Sequence, residues 1–328
     1  MNNFLTPILL IAFNRPNCVK KQLKAIEALS SRKVRVSIDG PRNSQDDVKV
    51  LEVRKAVDLW SHESNHKVSV IVNNKNLGFH DHFMQAFQSF FTDNKIGLVL
   101  EDDIEFRPSY INFLDLNHDL LLKSSYWSIQ GFNPSIKADS NFSQRQIIDF
   151  NPTHIHTVWG WASNASSIES FLSATSVINK NQYLETAIRN FTETITYDPF
   201  LARAIRATWI RKMNRVMSGG GTWDNWWEIA AWKSCKQSLV PTKSLSRESL
   251  DESEGQSNPH LKIGSIWSSE DSEIVSPQIL SYGNRNRIKD IESMQIWGIS
   301  RKYSWAYAAR ISRELQYFSL QRDLNLKE

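Results

Sequence analysis

The sequence predicts an α/β protein built on a mainly parallel, doubly wound sheet, and three observations lead there. Aliphatic strand-like runs alternate with helical spacings over the first 110 residues, a pattern that carries parallel strands through helical crossovers. The apolar run Gly97–Leu100 then ends abruptly in Glu101-Asp102-Asp103. Three adjacent carboxylates repel one another and no core accepts them unpaired. Open α/β sheets bind ligands at the carboxyl ends of their strands, so such a junction belongs at a sheet edge. Finally, the chain has 328 residues, 41% apolar and 23% charged. That is enough to bury one large α/β core or two smaller ones.

Each element follows from its local pattern. Pro7–Phe13 is an unbroken aliphatic run and reads as a buried strand. Asn17–Leu29 places Val19, Leu23, Ile26 and Leu29 at helical spacing. Val34–Ile38 is a second strand, closed by the turn Asp39-Gly40-Pro41. Asp46–Trp60 reads as helix, Val68–Val72 as a third strand and Phe83–Phe91 as helix. Ile96–Leu100 is the strand that delivers the acids, and Tyr110–Leu122 reads as one helix. The second half is less regular. Strand-like pieces at Trp127–Ile129 and Ile147–Phe150 lead to Thr157–Ala162. Helical patterns follow at Ser166–Leu172, Gln182–Phe191 and Phe200–Met217. Ser246–Glu273 is polar, acidic and serine-rich, which predicts a loop able to act as a lid. Arg301–Arg322 predicts a terminal helix. No internal repeat is present.

Composition narrows the function. A formal charge of +4, with basic residues dispersed, gives no ground for nucleic-acid binding. Two cysteines, Cys18 and Cys235, fit a reducing compartment and exclude a disulfide framework or a four-cysteine zinc site. The apolar N-terminus has no basic leader and no small-residue cleavage site, and no stretch reaches the roughly 20 apolar residues of a membrane span. The chain therefore reads as cytoplasmic. Twelve tryptophans, clustered at 159–161 and 223–232, either line a pocket or fill a core.

The acidic triplet has companions. Asp39 ends the second strand and Arg15 follows the first, so a parallel sheet brings both to the same edge as Glu101–Asp103. Alternation predicts Glu101 and Asp103 on one side and Asp102 on the other. All-oxygen ligation points to Mg²⁺ or Mn²⁺. An arginine there can pair with phosphate oxygens. The bland reading is a solvated acidic turn before Arg107 and Pro108. Downstream, Gly219-Gly220-Gly221-Thr222-Trp223-Asp224-Asn225-Trp226-Trp227 sets a carboxylate among aromatics. An apolar setting raises a carboxyl pKa and suits Asp224 to act as general base. Alternatively, Asp224 is a helix N-cap for the amides of Trp226 and Trp227.

These motifs together resemble the GT-A fold glycosyltransferases, especially the inverting N-acetylglucosaminyltransferase I type and bacterial family 2-like sugar transferases. Val99–Pro108 is similar to that family's acidic motif, Ile11–Pro16 and Val36–Gly40 to its two nucleotide motifs, and Asn76-Leu77-Gly78 to the segment before its central helix. Trp159-Gly160-Trp161-Ala162 and Thr222–Trp226 resemble its two tryptophan motifs, and the order holds over residues 7–245. The resemblance implies a Rossmann-like, mostly parallel sheet flanked by helices, with an irregular α-rich C-terminal half. Residues 1–125 would be the nucleotide-sugar-binding half, 126–275 the acceptor and catalytic half, and 276–328 a helical extension. It implies a metal-dependent transferase moving a sugar from a nucleotide donor, a UDP-sugar, to a glycan or lipid-linked saccharide. Asp103 would hold Mn²⁺ (or Mg²⁺), Asp102 the ribose or sugar, and Glu101 the sugar or a supporting group. Asp39 would read the base and Arg15 support the nucleotide, with Gly78 and Trp161 on the donor side.

Two departures stand out. The family's W-D-D-W second acid is Asn225 here, which cannot take a proton, so Asp224 must serve, with Glu228 one turn on in reserve. No transmembrane anchor is apparent either. The resemblance also points to His260, in the acidic loop, as a residue that reaches the diphosphate when the loop closes; a solvated histidine is the alternative. The pairs His80/His82 and His154/His156 lack further ligands at zinc spacing. Arg203, Arg206, Arg211, Lys212 and Arg215 make the 200–217 helix basic on one side, a solvated face or a surface for an anionic acceptor. Peripheral membrane contact through that helix or the terminal one stays open. Two other functions compete. A sugar nucleotidyltransferase would carry an N-terminal glycine loop, which Ala12–Pro16 lacks. A non-catalytic glycan- or nucleotide-sugar-binding protein would explain Asn225 but not the acids.

Overall fold

A computed structural model describes residues 4–134, 149–219, 222–249 and Asp290. Its centre is an eight-stranded mixed sheet in the order β3-β2-β1-β4-β8-β6-β9-β7. β1 (Ile8–Ala12), β2 (Lys33–Ile38), β3 (Lys67–Val72) and β4 (Ile96–Glu101) form an all-parallel N-terminal half. β8 (Trp161–Asn164) pairs antiparallel with both β4 and β6 (Ser128–Gln130). β9 (Ser238–Pro241) runs parallel to β6, and β7 (Phe150–Thr153) closes the far edge antiparallel to β9. A boundary at residue 125 therefore divides one continuous sheet and not two bodies.

The helices cover both faces. α1 (Pro16–Glu27), α2 (Ser44–Glu63) and α3 (Phe79–Asp93) are the crossovers of the parallel half. Pro16 opens α1 where no amide partner is needed. Asn43 caps α2 by accepting from the amides of Gln45 and Asp46, which starts that helix two residues before the apolar spacing does. The predicted helix over 110–122 is two: α4 (Pro108–Leu116) ends at Asn117, and α5 (Asp119–Leu122) follows as a single turn. In the second half α6 (Ala165–Thr175), α7 (Lys180–Ile195), α8 (Pro199–Met217) and α9 (Trp223–Lys233) follow β8.

Period-two alternation in β1 splits the core. Ile8, Leu10 and Ala12 join α1, α2 and α4 on one face. Leu9 and Ile11 join Val99, the phenylalanines of α3 and the tryptophans of α9 on the other. Most of the tryptophan excess is thus core. Trp127, Trp161, Trp209, Trp223, Trp227 and Trp232 are all fully buried.

A small second sheet pairs β5 (Ile104–Phe106) antiparallel with β10 (Ser246–Glu248). The first residues of the expected 246–273 loop are therefore a strand; residues 250–273 lie outside the described residues, as does the expected helix over 301–322. Among the described residues no helix is long and apolar enough to cross a membrane.

Candidate functional site

Parallel register aligns the strand ends. Ile11 of β1 stands beside Glu101 of β4, and Ala12 beside Ile38 of β2. The residues that follow, Phe13–Arg15, Asp39 and Glu101–Asp103, therefore converge. Phe13–Arg15, Asp39, Glu101 and Asp102 line a cleft of about 530 Å³ together with Asn76 and Gly78 before α3, Phe79 and His82 in its first turn, and Arg42 and Lys49. Asp103 is not part of that lining and is tied to it through Arg15. The cleft sits at the carboxyl ends of parallel strands, where open α/β sheets bind ligands.

The acids are arranged differently from strand alternation. β4 ends at Glu101, and Asp102-Asp103 form a turn into β5, so the period-two rule stops one residue early. Asp102 and Asp103 consequently share one cation. Arg15 Nη1 donates to Asp102 Oδ1 at 2.9 Å and to Asp103 Oδ2 at 2.5 Å. The other Asp102 oxygen accepts the Phe13 amide at 3.1 Å. Gln22 of α1 donates its side-chain amide to the carbonyls of Ile104 and Glu101, which fixes the turn from below. Ser249 donates its backbone N–H to the Asp103 carbonyl from the other side.

One arginine does not neutralise this cluster. Burial, then the charges of Asp103 and Asp102, holds Glu101 well above the usual carboxylate range, and Asp224 adds to the push. Burial also drives Asp102 up to about 6, against the pull of Arg15. Glu248 is raised by burial and by Asp103. Burial by itself would depress the Arg15 guanidinium, yet Asp102 and Asp103 raise it overall. The turn thus holds more negative charge than its own cation satisfies, and its donors are all hard carboxylate oxygens, the set that suits Mg²⁺ or Mn²⁺. Among the described residues no group of three or more His, Cys, Asp or Glu side chains forms a ready metal cage. A cation shared with a phosphate needs only one or two protein carboxylates, so Asp103 with Glu101 still fits that use.

Asp39 is 3% exposed and already engaged. Its Oδ1 accepts the amides of Gly40 (2.9 Å) and Leu77 (3.0 Å), and its Oδ2 accepts Asn76 Nδ2 (2.9 Å). It holds the Asn76–Gly78 loop in place, at the mouth of the cleft. Gly78 begins α3 with φ of +81°, a conformation that favours glycine.

Asp224 reaches this neighbourhood from α9, near enough to Glu101 to raise its pKa. It is not the N-cap. Thr222 holds that position, and Asp224 lies inside the first turn, accepting from the Thr222 hydroxyl and from Asn225 Nδ2. Glu228 sits a turn deeper, 6% exposed, with both oxygens on the His156 amide at 3.2–3.3 Å. Burial keeps it well above the carboxylate range. It is a core carboxyl and does not line the cleft, because α9 turns its second acid inward. Trp161 is likewise corrected. It is 1% exposed, packs edge-on against Phe87 and at a tilt against Trp223 and Trp227, and pairs with Val99, so it braces β4 from within the core. His260 lies outside the described residues.

Sequence reasoning missed Gln22, Arg42, Lys49 and His82. Arg42 lies over the Phe13 ring and bonds Asp46. His82 bonds Ser37 at 2.9 Å beneath Asp39, and burial lowers its pKa. In sequence His82 reads only as half of the H-x-H pair with His80. No local pattern marks these four, since the sheet alone brings them together. No protein-family model matches this chain and no curated protein matches it, so the reading of the cleft rests on the chain's own residues and their geometry.

Proposed function

We propose that this protein is a GT-A-type glycosyltransferase that takes a sugar from a nucleoside-diphosphate donor, a UDP-sugar, and passes it to a glycan or lipid-linked saccharide. One observation carries the reading. The parallel strand ends gather Arg15, Asp39, Glu101 and Asp102 around one cleft, with Asp103 joined to it through Arg15 and the carboxylate of Asp224, on a separate helix, near enough to raise the Glu101 pKa. The phosphate-pairing cation, the candidate base-reading acid and the candidate general base thus come from different elements, as a two-substrate transfer requires.

In this reading the cleft takes the nucleotide, with the Asn76–Gly78 loop held by Asp39 at the base end and Arg15 toward the diphosphate. Asp103 with Glu101 would hold Mn²⁺ or Mg²⁺, which when bound offsets charge on the departing nucleoside diphosphate. Asp224 takes the proton of the acceptor hydroxyl. That oxygen attacks the anomeric carbon as the bond to the diphosphate breaks, with inversion. The rival reading, a binding protein without transfer, is favoured by Asn225 at the second acid position and by the engagement of Asp102 and Asp103 with Arg15.

Thermal denaturation with UDP, GDP and CMP, each with and without Mn²⁺, tests the proposal. Binding to the folded state alone raises the melting temperature, by an amount that grows with the logarithm of ligand over Kd. The expected outcome is a Mn²⁺-dependent rise with UDP that Asp103→Ala abolishes. No rise with any nucleotide, or an unchanged rise in Asp103→Ala, would overturn the site assignment.

A further inference from the structure

We propose that the Arg15 guanidinium is the resting counter-cation of the acidic turn, and that it yields to a divalent cation only when a nucleoside diphosphate enters the cleft. The inference rests on the donor-site reading above and concerns the order in which that site fills.

The geometry assigns the exchange to Arg15 and not to the acids. Asp102 is fixed at both oxygens, by Phe13 N–H and by Arg15, and is 5% exposed. The backbone of the turn is tied by Gln22 and Ser249. Arg15 holds the turn only through its side-chain ion pairs with Asp102 and Asp103. It stands in the β1–α1 connection, its long side chain is 26% exposed, and it lines the same cleft a ligand would occupy. A single nitrogen, Nη1, contacts both carboxylates. A dication bound at Asp103 would lie beside that nitrogen, and like charges at such distances repel strongly in a partly buried site. The metal alone therefore meets an acid pair with one oxygen of each carboxylate already taken by Arg15. A diphosphate changes the balance, because it offers the planar guanidinium oxygen pairs that match its fork. Arg15 then turns from the carboxylates to the phosphates, and the vacated carboxylate oxygens face the metal. Nucleotide and metal should accordingly bind with positive, reciprocal coupling.

The test is a Mn²⁺ titration of the full chain, followed by loss of the free-ion paramagnetic resonance signal, with and without UDP. Mn²⁺ held by free UDP is subtracted. Wild type is compared with Arg15→Gln, which removes the charge, and Arg15→Lys, which keeps it. Without nucleotide, Arg15→Gln should bind Mn²⁺ at least tenfold more tightly than wild type, and Arg15→Lys should resemble wild type. UDP should tighten Mn²⁺ binding to wild type tenfold or more and to Arg15→Gln much less. Equal Mn²⁺ affinity for wild type and Arg15→Gln, with UDP stabilisation intact, overturns this inference alone. Absence of Mn²⁺ binding in every protein, with and without UDP, overturns it together with the metal-dependent transferase. Should Arg15→Gln fail to fold by circular dichroism, wild type decides: equal Mn²⁺ affinity with and without UDP overturns the exchange.

Discussion

Asp102 and Asp103 are neighbours in sequence, yet their roles separate because β4 stops before them. Asp102 is held by the Phe13 amide as well as by Arg15, whereas Asp103 reaches Arg15 with one oxygen from a turn. The same logic divides the two acids of α9. Asp224, in the first turn, is half-buried beside the cleft acids, and Glu228, one turn on, is locked to the His156 amide. Replacing Asp224 by Asn keeps the shape and removes the proposed proton acceptor. Asp224→Asn is expected to retain the Mn²⁺- and UDP-dependent rise in melting temperature while transfer to acceptor falls about 10²–10⁴-fold, the range for loss of a general base. Full turnover in that variant, followed by UDP release over a panel of saccharide acceptors, would move the base elsewhere. At this scale the strand-end acids and Arg15 were legible because a run of charge after an aliphatic strand has few explanations. Gln22 and Arg42 were not, since a polar residue in an amphipathic helix looks the same whether it faces water or a turn.

Among the elements, the Trp159-Gly160-Trp161 segment shows how a motif can be legible and its purpose not. In sequence the cluster reads as pocket lining or core, and the resemblance puts Trp161 alone on the donor side, but the glycine does the decisive work. Gly160 has φ of +71°, and a Cβ there would lie 2.8 Å from Ser246 Cβ and 3.0 Å from Ile104 Cγ2. The chain needs that closeness because Ser246 bonds the Trp159 carbonyl and begins β10, which pairs with β5 directly after the acidic turn. Gly160→Ala combines backbone strain with a clash and is expected to cost about 1–3 kcal/mol, read from urea unfolding midpoints. A loss below about 0.5 kcal/mol would show that β10 can move away freely, and with it the cover over Asp103. Among the described residues α1–α4 and α6–α8 are legible in the sequence, as is β6 through Trp127–Ile129, while α9, the α4–α5 break and the three-residue strands β5 and β10 are not. A single turn of Asn117-His118 interrupts a helix without disturbing its apolar spacing, and β5 and β10, at three residues each, carry too little periodicity to be read.

For the whole molecule, the far half of the sheet encloses two histidines that must stay neutral. Burial lowers His154 from its ordinary 6.5 to about 4, and burial with the neighbouring His154 holds His156 well below its ordinary value. His154 bonds Gln237, and His156 bonds Ser238 at 2.6 Å. Between pH 6.5 and about 4 the unfolded chain binds the His154 proton and the folded chain does not. Stability from this group is therefore complete above 6.5 and declines as pH falls toward 4, by up to about 3 kcal/mol. The buried carboxyls Glu101 and Glu228, whose pKa values are raised, act with the opposite sign. The His154 contribution is accordingly read as the difference between wild type and His154→Gln in urea midpoints from about pH 7.5 to about pH 5. Identical slopes for the two proteins would contradict it. The sequence by itself determined the α/β class, the order of strands and helices in the first 110 residues, and the strand-end position of Asp39, Arg15 and the acidic triplet. Those features follow from hydrophobic periodicity and from the cost of burying charge, both local properties. Only the tertiary structure decided that Arg15 bridges Asp102 and Asp103, that Trp161 and Glu228 face the core, and that Asp224 approaches Glu101. Such contacts join residues tens to hundreds of positions apart, and their geometry is set by strand register and helix rotation, which no local spacing encodes.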